Sequence, residues 1–104
     1  MPLTRDFKET IQARAQTDAA FRAALLSEAV EALLEGEVDT GKAVLRDYIN
    51  ATIGFEELAH DVGKQPKNLM QMFSVKGNPT AANLFSVISH LQKATGVHLA
   101  VSVG

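Results

Sequence analysis

Between Gly54 and Leu84 the chain carries two short amphipathic segments that a single glycine separates. The first has one apolar stripe, and Gly63 follows it with a residue that can take the positive φ of a tight turn. The stripe consists of Phe55, Leu58, Ala59 and Val62. Ala59 is small enough for a second helix to cross closely, and Pro66 suits the first turn of that helix, where no N–H is needed. The spacing predicts a helix-turn-helix over this stretch.

The second helix is predicted over residues 66–73, with Gln65 as its N-cap. Successive residues of a helix are turned by about 100°, so placing Leu69 inward also places Met72 and Phe73 on the inner side. The residues predicted to point outward are Lys67, Asn68 and Gln71. Lysine donates to guanine and Asn or Gln pairs with adenine, so this acid-free face is typical of a helix that reads bases in the DNA major groove. A solvated polar face on an ordinary helical bundle is the alternative interpretation.

The segment 74–79, SVKGNP, is predicted to be a turn because Gly77 is followed by an Asn-Pro pair. Thr80 then caps a helix that runs to about residue 94 and ends at Gly96. The loop after a reading helix lies against the DNA backbone, and a helix N-terminus favours phosphate. The residues predicted from their positions to contact the backbone are Lys64, Lys76, Asn78 and Asn83.

Three further helices are predicted before the motif. They cover about residues 5–15, 18–35 and 40–52: Thr4 caps the first, Thr17 and Asp18 start the second, and either Asp39 or Thr40 caps the third. The second has a broad apolar stripe that we interpret as core, with a dimer or partner surface as the alternative. On the third, the residues predicted to point outward are Lys42, Arg46 and Asp47. Arg46 and Asn50 are further candidates for phosphate contact, while for Arg46 an ion pair with Asp47 or Asp39 is the competing interpretation.

The last residues, 97–103, change to a period of two, with valine or leucine at every second position. This alternation predicts one β-strand, which has to pair with the same strand of a second copy, with a partner's sheet or with the N-terminal arm. The predicted fold class is therefore mainly α: a five- to six-helix bundle that contains a helix-turn-helix and ends in a short β-strand.

The charges are divided unevenly along the chain. Residues 1–61 carry all twelve acids and six of the ten Lys and Arg, whereas residues 62–104 carry four lysines and no acid. This asymmetry indicates a basic face for a polyanion and an acidic face for another partner, such as a basic protein. Four lysines neutralise few phosphates, so we expect a homodimer that binds two DNA half-sites.

Length and composition predict one domain over residues 1–104, with 1–36 as an N-terminal helical extension. There is no cysteine, no long apolar run and no signal peptide pattern, so a cytoplasmic protein without a membrane association is expected. The three histidines are scattered, the pair Glu56 and Glu57 does not converge on a helix, and no phosphate-binding loop is present. We therefore expect no enzyme, no metal site and no cofactor.

Two levels of family resemblance follow from these motifs. The pattern Leu58-Ala59-x-x-x-Gly63, Leu69, Met72 and Gly77-Asn78-Pro79-Thr80 before Leu84 resembles the helix-turn-helix of the phage-repressor or Cro type, over about residues 40–97. The segments EAVEALLEGE, LRDYINATIGFEELA and KGNPTAANLFSVISHLQ resemble the HigA-like antidote proteins of bacterial addiction modules.

The resemblance implies an operator-binding repressor that also neutralises a small toxin protein. It implies base contacts by Lys67 and Gln71 with Asn68 beside them, and backbone contacts by Gln65 and Lys76. Gln65 and Pro66 depart from the family, which usually has a Ser or Thr cap followed by a residue that often reads a base. Three hypotheses remain: an antitoxin that represses its own operon, a plain repressor without a toxin, and a protein-interaction module that keeps the fold without binding DNA.

Overall fold

The structure is a computed structural model that describes residues 5–104, with side chains from Phe7 onward. This part of the chain forms six α-helices and contains no β-strand, so the mainly-α prediction is confirmed. The helices are α1 (Arg5–Thr17), α2 (Ala19–Leu34), α3 (Val38–Ala51), α4 (Phe55–Val62), α5 (Pro66–Met72) and α6 (Ala81–Thr95).

The predicted N-cap Thr80 is confirmed, and Asp18, one of the two residues predicted to start the second helix, is the N-cap of α2. Asp18 accepts a hydrogen bond from the N–H of Phe21 at 3.1 Å, and the Thr80 hydroxyl accepts one from the N–H of Asn83 at the same distance. The predicted cap of α3 is wrong, because α3 begins at Val38 and both Asp39 and Thr40 lie inside its first turn. The N–H of Glu37 closes the end of α2 on the carbonyl of Ala32, so α3 starts at once without a side-chain cap.

One hydrophobic core joins all the helices from α2 to α6. Its largest fully buried side chains are Tyr48, Phe73, Leu26, Leu45, Ile49, Leu58, Leu69, Leu91 and Val87. The stripe of α2 contributes Leu26 and Ala29, both without solvent exposure, and α2 packs along α3. The N-terminal segment is therefore part of the packing that holds the later helices in place.

The end of α6 is fixed by a partly buried polar cluster. The Tyr48 hydroxyl donates to Thr95 Oγ1 at 2.6 Å, because the Thr95 hydroxyl itself donates to the carbonyl of Leu91. Arg22 donates from Nε to the carbonyl of Thr95 at 3.1 Å and from Nη1 to the carbonyl of Ala15 at 2.7 Å. One guanidinium thus connects the ends of α1 and α6 with α2.

The predicted strand at residues 97–103 is absent from the described chain. Val97 is buried and its N–H bonds to the carbonyl of Gln92, while the N–H of Leu99 bonds to Gln92 Oε1 at 2.7 Å. Beyond these contacts the tail lies in solvent, with Val101 and Val103 90% and 101% exposed. The described chain offers no second strand, and a lone strand has no ladder of hydrogen bonds to form.

Candidate nucleic-acid interface

The turn between α4 and α5 is three residues long. Gly63 closes α4 in the left-handed conformation at φ 71°, and the N–H of Lys64 bonds to the carbonyl of Ala59 at 2.9 Å. Gln65 then takes the extended conformation and Pro66 occupies the first helical position. Gln65 is the N-cap by position, as predicted, but its side chain makes no capping hydrogen bond.

Helix α5 has one buried side and one exposed side. Leu69 is fully buried and Phe73, directly after the helix, is 1% exposed and packs against Phe55 with ring centroids 6.2 Å apart. The opposite side carries Lys67, Asn68 and Gln71, all exposed, as the helical phase predicts. Lys67 and Gln71 are four residues apart and therefore lie on the same face of the helix, about one turn apart.

A shallow depression of about 510 Å³ lies where α4 meets α5. Its lining consists of Ala59, His60, Gly63, Lys64, Gln65, Asn68 and Met72. Three of the predicted contact residues, Lys64, Gln65 and Asn68, are thereby brought together on one surface that no carboxylate lines. Lys64 is half-buried there and Gln65 is exposed.

The loop after α5 holds the next two predicted residues, Lys76 and Asn78, both exposed. Gly77 presses this loop against the end of α5, because a Cβ atom at Gly77 would lie 2.1 Å from the carbonyl oxygen of Gln71. The N–H of Gly77 also bonds to the carbonyl of Ser74 at 3.0 Å. Lys76 therefore extends from a tight turn that adjoins the exposed face of α5.

Asn83 lies half-buried in the first turn of α6. Its backbone N–H is used by the Thr80 cap, so a contact with phosphate has to come from its side-chain amide. The structure thus brings Lys64, Gln65 and Asn68 onto one depression, continues with Lys67 and Gln71 along α5, and places the other three residues on the following loop and helix.

Two basic residues that were predicted to point outward from α3 instead bind the loop after α5. Lys42 is only 3% exposed, and its Nζ donates to the carbonyls of Ser74 at 3.0 Å and Gly77 at 2.6 Å. Arg46, half-buried one turn later, donates from Nη1 to the carbonyl of Phe73 at 3.2 Å. That bond goes to a backbone carbonyl, whereas the two interpretations of Arg46 were a phosphate contact and an ion pair.

The sequence contains a signal for the position of Lys42 that the prediction missed. Lys42 precedes Leu45 by three residues and Ile49 by seven, which is the spacing of one helical face. Since Leu45 and Ile49 are fully buried, the same face of α3 carries Lys42 inward. What the sequence does not contain is the identity of its acceptors, which are backbone carbonyls about thirty residues away.

The acidic and basic parts of the chain meet at this loop. Asp39 Oδ1 lies 3.5 Å from Lys42 Nζ while 86% of its side chain remains exposed. On α4, Asp61 pairs with His90 Nε2 of α6 at 3.1 Å. Burial raises the pKa of Asp47, and the charges of Arg46 and Lys8 partly offset that shift. Acidic and basic residues are thus less separated in the folded chain than along the sequence, because the carboxylate of Asp39 borders the loop that carries Lys76.

The described residues contain no group of His, Asp or Glu side chains that could hold a metal ion. Among the helices of residues 5–104, none combines the length and the apolar content needed to cross a lipid bilayer. Comparison of the chain with protein-family models, with curated proteins and with solved structures gave no match in any of the three.

Proposed function

We propose that this protein is a sequence-specific DNA-binding transcription regulator, in which α4, the turn and α5 act as a phage-repressor-like helix-turn-helix. The observation that carries the proposal is α5 itself. Its inner side is anchored by Leu69 and Phe73, and its exposed side presents one lysine and two carboxamides without any acid. An α-helix fits the major groove of B-DNA, where such side chains distinguish base pairs.

The proposed roles follow from side-chain chemistry and position. Lys67 donates to guanine, and Asn68 and Gln71 pair with adenine through their amides. The residues proposed to hold the phosphate backbone are Lys64, Gln65, Lys76, Asn78 and Asn83. Backbone contacts fix the register of the protein on the duplex, while the base contacts supply the sequence preference.

We further propose that the regulator is the antitoxin of a toxin-antitoxin module and represses its own operon in the cytoplasm. This part rests on the resemblance to HigA-like antidote proteins and on the distribution of charge. The exposed acids Glu28 and Glu31 lie on α2 and Glu35 directly follows it, and a basic toxin is the partner whose charge complements them.

A protein-interaction module that has lost DNA binding is the second candidate. The observation that favours it is the exposed carboxylate of Asp39, which lies next to Lys42 and therefore close to the loop of Lys76. A carboxylate at this place repels phosphate. The two candidates differ in one measurable property, which is the affinity of the chain for duplex DNA.

The experiment compares binding to the DNA upstream of the protein's own coding region with binding to a shuffled duplex of equal length, over a series of salt concentrations. We expect Lys67→Ala and Gln71→Ala each to cost about 1–3 kcal/mol on the upstream DNA and to relax the sequence preference. Lys64→Ala and Lys76→Ala should weaken both duplexes alike and reduce the salt slope by about one.

Lys93→Ala is the matched control, since Lys93 is an exposed lysine in the last turn of α6, outside the proposed interface. It should leave both affinities unchanged. If all four interface variants lower the binding of both duplexes equally, the base-reading role of α5 is wrong. If the unaltered chain binds neither duplex, the interaction-module candidate replaces the regulator.

A further inference from the structure

We propose that Lys42 is the positioning residue for Lys76: its buried ammonium group fixes the turn at residues 74–77, and thereby the place at which Lys76 meets a DNA phosphate. The inference rests on the proposed function, because it assigns to a buried residue of α3 a role in the backbone contact made after α5.

The hydrogen bonds of the Lys42 ammonium group reach both ends of the turn at residues 74–77. A lysine carries three N–H donors, and Lys42 has three acceptors within reach: the carbonyls of Ser74 and Gly77 and the carboxylate of Asp39. Two of these acceptors are the backbone on either side of Val75 and Lys76. Lys42 therefore holds the backbone on both sides of the segment that contains the exposed Lys76.

Apart from Lys42, the loop is attached mainly at its start, where the N–H and the hydroxyl of Ser74 both donate to the carbonyl of Gln71. Val75 and Lys76 are exposed, with Val75 82% accessible, so side-chain packing does not hold the tip of the turn. Within the turn itself, the N–H of Gly77 donates to the carbonyl of Ser74, the same oxygen that accepts from Lys42. Removing the ammonium group therefore releases the carbonyls of Ser74 and Gly77, so the turn that the Gly77 N–H closes should open more often.

The same helix, α3, also supplies cations to the C-terminal end of α5. Helix α5 has no basic residue in its last turn, although the carbonyl end of a helix favours a cation. Lys42 and Arg46, one turn apart on α3, supply two cations to carbonyls just beyond that end. The C-terminal end of α5 and the start of the loop are therefore held from the same neighbouring helix.

The test uses the full chain and the variant Lys42→Met, which keeps the buried aliphatic stem and removes the donors. Asp39→Asn is the matched control, because it removes the ion pair and leaves both carbonyl bonds in place. Hydrogen exchange of the Gly77 amide is measured without DNA, and circular dichroism establishes that each variant is folded. Lys42→Gln, which keeps a donor on a shorter stem, replaces Lys42→Met if the latter does not fold.

We expect Lys42→Met to speed the exchange of the Gly77 amide about tenfold or more, and Asp39→Asn to leave it nearly unchanged. On DNA, Lys42→Met should reduce the salt slope by about one, as Lys76→Ala does, and adding it to Lys76→Ala should cause no further loss of affinity. A purely structural role would instead add its effect to that of Lys76→Ala.

An unchanged exchange rate at Gly77 in Lys42→Met overturns the proposal, as do independent, additive losses of DNA affinity for the two lysines. Failure of the unaltered chain to bind DNA overturns the proposed function instead. In that case the exchange measurement still decides whether Lys42 holds the turn.

Discussion

Leu69 is the residue on which the exposed face of α5 depends. It is the one residue inside this seven-residue helix that is fully buried, and its neighbour Met70 is 53% exposed. Replacing a buried leucine by alanine leaves a cavity, so Leu69→Ala should lower the free energy of unfolding by about 2–5 kcal/mol. Urea unfolding followed by circular dichroism measures the change.

Met70→Ala is the control for that prediction, since it removes a large apolar side chain of the same helix from a mostly exposed position. It should change the free energy of unfolding by no more than about 0.5 kcal/mol. Equal losses for the two variants would mean that α5 is not anchored through Leu69.

Tyr48 links the stability of the protein to alkaline pH. Burial raises the pKa of its hydroxyl above the ordinary value of 10.0, and the hydrogen bond with Thr95 and the charge of Arg22 offset part of this shift. The folded chain therefore keeps the proton to a higher pH than the unfolded chain does. The stabilisation is complete below the unfolded pKa and is lost as the pH rises towards the folded one.

We expect the free energy of unfolding to fall above pH 10, and Tyr48→Phe to remove this component of the pH dependence. The variant also loses the hydrogen bond to Thr95, so it should be less stable at neutral pH by about 1 kcal/mol. Denaturant titrations at several pH values test both statements. An unaltered alkaline slope in Tyr48→Phe would show that another group causes it.

At the scale of the helices, local signals in the sequence predict most boundaries. Asp18 and Thr80 cap the helices that follow them, and Gly63 and Gly96 end theirs in the left-handed conformation. These signals work because cap and turn chemistry acts within a few residues. The exposure of Lys67, Asn68 and Gln71 follows equally from the helical phase around Leu69.

The features that sequence did not predict depend on distant parts of the chain. The bonds of Lys42 join residues 32 and 35 positions apart, so the outward orientation predicted for this lysine is wrong. The strand at residues 97–103 has the right alternation, but alternation specifies a face and not a pairing partner. Both depend on which backbone groups the fold brings together.

At the scale of the whole molecule, the acids of α2 together with Glu35, directly after it, form the surface proposed for a basic partner. A truncation before α3 would not test this, because it removes Leu26 and Ala29 from the core. The double change of Glu31 and Glu35 to Gln keeps the core intact, since both side chains are exposed. It should slow association with the protein encoded beside this one, most strongly at low salt, while leaving DNA affinity unchanged.

The matched control is the same double change at Glu56 and Glu57, two exposed acids in the first turn of α4. Stopped-flow or surface-based kinetics measure the association rate of each variant with the neighbouring protein. If the two double variants slow association equally, net charge rather than the surface of α2 attracts the partner.

The tail beyond Leu99 is the segment that we predict to join two copies into a homodimer. The stripe of α2, which the sequence left open as a dimer surface, is used in the core through Leu26 and Ala29, whereas Val101 and Val103 lie in solvent and make no backbone hydrogen bond to the described residues 5–104. Pairing of two such tails would satisfy the backbone groups, and we expect the resulting dimer to bind an inverted repeat whose half-sites lie about one helical turn, 34–36 Å, apart. Deleting residues 100–104 should convert the dimer to a monomer in sedimentation, weaken binding to an inverted repeat and leave binding to a single half-site unchanged.

The free energy of unfolding should change by no more than about 0.5 kcal/mol on this deletion, because the deleted residues are exposed. A full chain that sediments as a monomer while it saturates the inverted repeat, or a truncated chain that remains a dimer, would rule out the tail as the contact.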